Sequence, residues 1–197
     1  KVEVRELGEL LGIPKDAIWR HPFPGPGLGV RLLCSEGNSD DAEVKRLTQD
    51  ALEFAKSCEG SVNVLPIRSV GVKADVRSYE YPVMLSGIAD NDEALKLSNG
   101  ILKNLSGINR CVLNLSQEIP TNIEVLPAYV TKERLDLLRE ADAIVMSGLK
   151  SNGLYDKIWQ CPTVLLPIRI NGKVQELVII RPVHSERAMT ASAAMFP

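Results

Sequence analysis

Apolar residues at Val4, Leu7, Leu10 and Leu11, with polar residues between them, predict an opening helix that Gly12 and Pro14 end. A second helical stripe, Val44, Leu47, Ala51, Leu52 and Phe54, follows Asp41, which reads as its N-cap. A third helix spans residues 92–105 and stops at Gly107. Thr131 caps a fourth, which carries Glu133, Leu135, Leu138, Ile144 and Val145. Short apolar runs at 62–64, 79–85, 109–115, 163–165 and 174–180 read as strands.

A repeat orders these elements. Leu65-Pro-Ile-Arg68 recurs as Leu166-Pro-Ile-Arg169, each preceded by a strand-like run and followed by another, with a helix upstream. The first copy reads helix, strand, strand, helix, strand, and the second reads helix, strand, strand. The expected class is α+β: two tandem two-layer units with helices on one face of a mostly antiparallel sheet. The segments are 1–38, a leading piece with a linker loop, 39–126, the first unit, and 127–197, the second. The chain has no initiator methionine and the second unit lacks a closing helix and strand, so the expectation is a piece of a longer protein with a truncated second unit. An uncovered apolar face or sheet edge would then invite self-association.

Two segments stand out chemically. Residues 22–29 hold three prolines and three glycines, which exclude helix and regular strand and predict a stiff loop with exposed N–H groups. Arg20 and Arg31 at its ends would suit an anion, although a rigid interdomain linker accounts for the composition equally well. The hairpins also differ. Asn171-Gly172 predicts a minimal type I′ turn in the second. The first has a longer connection over 69–78, in which Lys73, Asp75 and Arg77 alternate and would share one face if extended. That cluster fits either a polar ligand held by charge-assisted hydrogen bonds or a solvated, salt-bridged hairpin tip.

Composition narrows the partners. The 197 residues carry 23 Lys and Arg against 25 Asp and Glu, without the basic excess that backbone neutralisation of nucleic acid requires. No apolar run reaches the roughly 18 residues that argue for a bilayer span, and no signal-peptide pattern opens the chain. The four cysteines (Cys34, Cys58, Cys111 and Cys161) are dispersed, and with only His21 and His184 no metal site is expected. Reduced thiols in a cytoplasmic protein are the expectation, with neither nucleic acid nor membrane as partner.

Arg20-His-Pro-Phe-Pro-Gly-Pro-Gly-Leu28, Leu65-Pro-Ile-Arg-Ser-Val-Gly-Val72, and then Asp75, Arg77 and Tyr79 together resemble the C-terminal part of the GMP synthetases, which hydrolyse glutamine to convert XMP to GMP. Leu138-Arg-Glu-Ala-Asp-Ala-Ile144, Leu154-Tyr-Asp-Lys-Ile-Trp-Gln160, Ser98-Asn-Gly-Ile101, Gly107-Ile-Asn-Arg110 and Ala188-Met-Thr190 extend the likeness over almost the whole chain. The duplication resembles the tandem-copy, human-like branch, in which an inserted dimerisation unit stands in for a second subunit. The resemblance makes residues 1–38 the end of an ATP-pyrophosphatase domain with its linker. It also implies XMP contacts from Asp75 and Gln160, one from each copy. Lys73, Arg77 and the loop residues His21, Pro24, Gly25 and Gly27 are further candidates for phosphate or interdomain contact.

Departures from the family pattern bound the expected activity. The Lys-Pro-Pro-x-Thr-x-Glu-Trp-Glu tail is absent, with 116–124 a degenerate echo of it. Also absent are the Ser-Gly-Gly-Val-Asp-Ser pyrophosphate loop and the Cys-His-Glu glutaminase triad, without which glutamine is not hydrolysed. The chain alone is therefore expected to be inactive and to bind no cofactor, with ATP and Mg2+ belonging to the parent enzyme. Its expected partners are XMP and the missing ATP-pyrophosphatase and glutaminase domains. A second reading is an assembly module with no ligand of its own.

Overall fold

Capping side chains and chain breakers set the helix ends. A computed structural model describes all residues except 1, 24, 26, 74, 75, 117, 174, 175, 186–190 and 197, and the side chains of 2, 72 and 73. Its helices are α1 (Val2–Leu10), α2 (Lys15–Ile18), α3 (Asp41–Phe54), α4 (Asn91–Asn104) and α5 (Lys132–Ser151). Strands β1 (Ser35–Glu36), β2 (Ser61–Val64), β3 (Ser69–Lys73), β4 (Val76–Ser86), β5 (Ile108–Leu113) and β6 (Ile123–Val125) come first. They are followed by β7 (Pro127–Ala128), β8 (Thr163–Leu166), β9 (Ile168–Ile170), β10 (Leu177–Ile180), β11 (Val183–His184) and β12 (Ser192–Ala193). The cap of α3 is Asp40 rather than Asp41: its carboxylate accepts the Glu43 amide at 3.2 Å. Asp90 caps α4 through the Asp92 amide, and Thr131 caps α5 through the Arg134 amide. The fold is α+β with mostly antiparallel pairing, as the pattern implied.

The contacts divide the chain into two compact units that cut across the segments drawn from the sequence. One joins residues 34–129 to 167–177; the other joins 1–33, 130–166 and 178–197.

In the first of these, the eleven-residue β4 organises the sheet. Its N-terminal half pairs antiparallel with β3, and its C-terminal half lies between antiparallel β2 and parallel β5. Leu47 and Ala51 of α3 and Ala94, Leu97 and Ile101 of α4 meet Val62, Val64, Val83, Leu85 and Ile108 in one apolar core. The Asn-Gly turn forms as read: Asn171 and Gly172 have φ of 52° and 70°, and the Lys173 amide donates to the Ile170 carbonyl at 3.1 Å. The strands around that turn have different partners. β8 pairs with β10, whereas β9 pairs antiparallel with β6. The Asn171 Oδ1 also accepts from the Thr121 and Asn122 amides at 2.8 and 3.1 Å, tying the end of the 116–124 segment to the turn.

The other unit is built around α5. Leu138 packs with Leu32 and Leu165, and Leu149 packs with Ile158, Cys161 and Ala194. The apolar stripe of α1 is exposed, with Val4 71% and Leu10 85% accessible. Among the described residues no helix is long and apolar enough to cross a membrane.

Candidate functional site

The Pro/Gly segment and the 154–160 segment come together in the α5 unit. Proline at positions 22, 24 and 26 removes three backbone donors, but helix is not excluded throughout 22–29 as the composition suggests. Gly27–Arg31 closes as a short 3-10 helix, to which prolines upstream and flexible glycines within are no bar. The His21 amide donates to the Tyr155 hydroxyl at 3.1 Å, and the imidazole Nε2 lies 2.9 Å from the Tyr155 carbonyl oxygen. The two rings stack with centroids 4.0 Å apart and planes 2° from parallel. One residue further on, the Pro22 carbonyl accepts from Gln160 Nε2 at 3.2 Å. Gln160 is half-buried, and its backbone bridges to Val183.

Arg31, at the loop's far end, does not stand ready for an anion. Its side chain is buried, bonds Asp142 of α5 at 3.2 Å, and lies over the Phe23 ring with its guanidinium carbon 4.7 Å from the centroid. Arg20 is exposed. Between the two anchorages Gly27 takes a φ of +71°, which a glycine accommodates without strain. Gly25 has nothing within 4 Å of where a Cβ would stand, and neither does Gly29, so a ligand could approach the backbone there closely.

A cleft of about 420 Å³ opens beside this assembly, lined by His21, Trp19, Tyr155, Lys157, Trp159 and His184 among others. Flat rings suit a planar ligand, and Arg5, Lys157 and Asp156 add charges of both signs to the lining. Among the described residues no group of three or more His, Cys, Asp or Glu side chains gathers to hold a metal. Cys161, in the adjoining core, is buried and its thiol is pushed up to about 11 by that burial. At pH 8 it is expected to resist alkylation while exposed Cys34 reacts, and to become reactive on unfolding; peptide mapping after brief iodoacetamide treatment checks this. The sign for stability follows: between about pH 9, where the unfolded thiol ionises, and about 11, stability falls as pH rises.

The other candidates lie on the β3–β4 hairpin, in the other unit. Asp75 is outside the described residues, as are Pro24 of the loop and the side chain of Lys73. Segment 69–78 is not a long free loop: its alternating valines pair as strand, with Val72 opposite Arg77 and Lys73 opposite Val76. Arg77 is exposed. Asn109 ties down the hairpin base by donating to the Ser69 carbonyl and accepting from the Ser69 hydroxyl, both at 2.7 Å. Tyr155 was not singled out from sequence, because nothing local pairs it with a histidine 134 positions away.

The chain is similar to probable glutamine-hydrolysing GMP synthases from two serovars of Leptospira interrogans, at 41% identity over 200 residues, covering 98% of this chain and 32% of theirs. It is 39% identical over 144 residues to the glutamine-hydrolysing GMP synthase of Nitrosomonas eutropha, covering 63% of this chain and 28% of that protein. The chain thus spans about a third of the length of the curated relatives it matches. No protein-family model matches it.

Proposed function

We propose that this chain is the C-terminal, dimerisation-type portion of a glutamine-hydrolysing GMP synthase, contributing XMP binding and a dimer or pseudo-dimer scaffold. The observation that carries the reading is the 41% identity to probable GMP synthases along 98% of the chain. The recurrence of helix, strand, Leu-Pro-Ile-Arg and strand supports a tandem arrangement. The relatives from Leptospira interrogans and Nitrosomonas eutropha support a GMP synthase portion and do not single out the human-like branch.

On this reading a domain outside this chain, where ATP would be held with Mg2+, transfers AMP from ATP to the C2 oxygen of XMP and releases pyrophosphate. Ammonia from glutamine, released by the glutaminase domain, then displaces AMP. The work takes place in the cytoplasm, without nucleic acid or membrane, and this portion alone catalyses nothing. Its contribution is to hold XMP in register, which lowers the barrier without bond-making by its own residues. Gln160 hydrogen-bonds the purine or ribose of XMP through its Oε1, and Asp75 is the other XMP contact. The loop from His21 to Gly29, Lys73 and Arg77 are weaker candidates, for phosphate or interdomain contact.

The test uses the full-length enzyme with ammonium as nitrogen donor, following GMP formation. Gln160→Ala is expected to raise KM for XMP about tenfold, the effect of one lost hydrogen bond, and to leave KM for ATP unchanged. An unchanged KM for XMP removes Gln160 from the site, and a full-length protein that forms no GMP overturns the assignment.

A further inference from the structure

We propose that Tyr155 is a positioning residue that sets the Pro/Gly loop for its ligand, with His21 as its counterpart and Gln160 as a second anchor. The proposal rests on the reading of this loop as part of the XMP site.

Proline at 22, 24 and 26 leaves three positions without an N–H, and among the described residues backbone closure is confined to the 3-10 helix Gly27–Arg31 at the end of the segment. The start of the loop, at His21 and Pro22, is held by groups from elsewhere in the chain. Tyr155 supplies three contacts to one residue: its hydroxyl accepts the His21 amide, its carbonyl lies 2.9 Å from His21 Nε2, and its ring stacks on the imidazole. A carbonyl oxygen only accepts, so Nε2 carries the proton and the tautomer is set by the contact. The remaining ring nitrogen, Nδ1, is buried and has no partner among the described residues. The ring is thus oriented by Tyr155 alone among the described residues.

Gln160 extends the grip to Pro22, spending its amide N–H on the loop carbonyl and leaving Oε1 for a ligand. The far end is pinned separately, by Phe23 under Arg31 and Arg31 on Asp142. What stands between the anchors is the open backbone at Gly25 and Gly29. A ligand that binds this backbone gains only if the loop is already placed, because a free loop must be ordered at the moment of binding. Tyr155 therefore acts on affinity through the loop rather than on chemistry.

Two measurements on the full-length protein test this. Tyr155→Phe keeps the stack and the carbonyl but removes the hydroxyl, so hydrogen exchange at the His21 amide is expected to accelerate about tenfold. Tyr155→Ala is expected to raise KM for XMP about tenfold while kcat at saturating XMP stays within about threefold, with Tyr155→Phe intermediate in KM. Far-UV circular dichroism like that of the wild type excludes global unfolding. Unchanged His21 exchange in Tyr155→Phe, or a fall in kcat with KM unmoved in Tyr155→Ala, overturns the proposal. A wild-type protein that forms no GMP overturns the functional reading and the XMP half of this one, while the exchange comparison still decides whether Tyr155 holds the loop.

Discussion

Gly60→Ala lowers the unfolding free energy by about 4 kcal/mol, the largest loss expected from a single added methyl group in this chain. Gly60 joins the end of α3 to the start of β2 with φ of +107°, outside the range L-residues normally adopt. The strain alone is worth about 1–3 kcal/mol. An added Cβ would also stand 2.4 Å from the Ser86 carbonyl oxygen, a backbone atom at the end of β4. No rotamer change relieves that contact, so β2 and β4 must separate where Ser61 pairs with Ser86. Gly153→Ala is the control, because Gly153 has φ of +63° with nothing within 4 Å of its Cβ position. It carries backbone strain only and should lose about 1 kcal/mol. Equal losses in urea unfolding of the two variants would show that the β2–β4 contact at Gly60 relaxes freely.

Asp142→Ala comes second, at about 3 kcal/mol. The Arg31 side chain is only 8% exposed, and removing Asp142 leaves its guanidinium in place with the Phe23 face as the remaining contact described here. A buried cation without its counter-charge loses its compensation for desolvation, which is the costly half of any buried ion pair. Replacing both partners by apolar residues of similar size, Arg31→Met with Asp142→Leu, should therefore recover most of the loss, and a double-mutant cycle reads the coupling. Stability unchanged in Asp142→Ala would mean that water reaches Arg31 and the pair is a surface one.

Local chemistry made part of this fold legible. Thr131 marked a helix start because its hydroxyl meets the Arg134 amide, and Asn171-Gly172 marked a turn because both residues take positive φ. Asp41 reads as the cap of α3 from sequence, but its neighbour Asp40 bonds the Glu43 amide, a one-residue difference that residue type alone does not resolve. The stripe Val4, Leu7, Leu10 and Leu11 correctly predicted a helix but not its exposure, since periodicity defines a face without saying what covers it. The β6–β9 pairing escaped notice because each strand is three residues long and the partners are distant in sequence. The His21–Tyr155 stack is not legible for the same reason: it joins a loop residue to the first residue of a three-residue 3-10 helix 134 positions away. Of the proposed site, Gln160 and the loop candidates His21, Gly25 and Gly27 are placed here, while Asp75, Pro24 and the Lys73 side chain fall outside the described residues.

The most direct test of the central claim is a structure of the full-length protein with XMP bound. The account predicts the Gln160 Oε1 and the Asp75 carboxylate each within hydrogen-bonding distance of bound XMP. XMP bound elsewhere, or a nucleotide that neither side chain reaches, would contradict it and leave a scaffold without a ligand of its own.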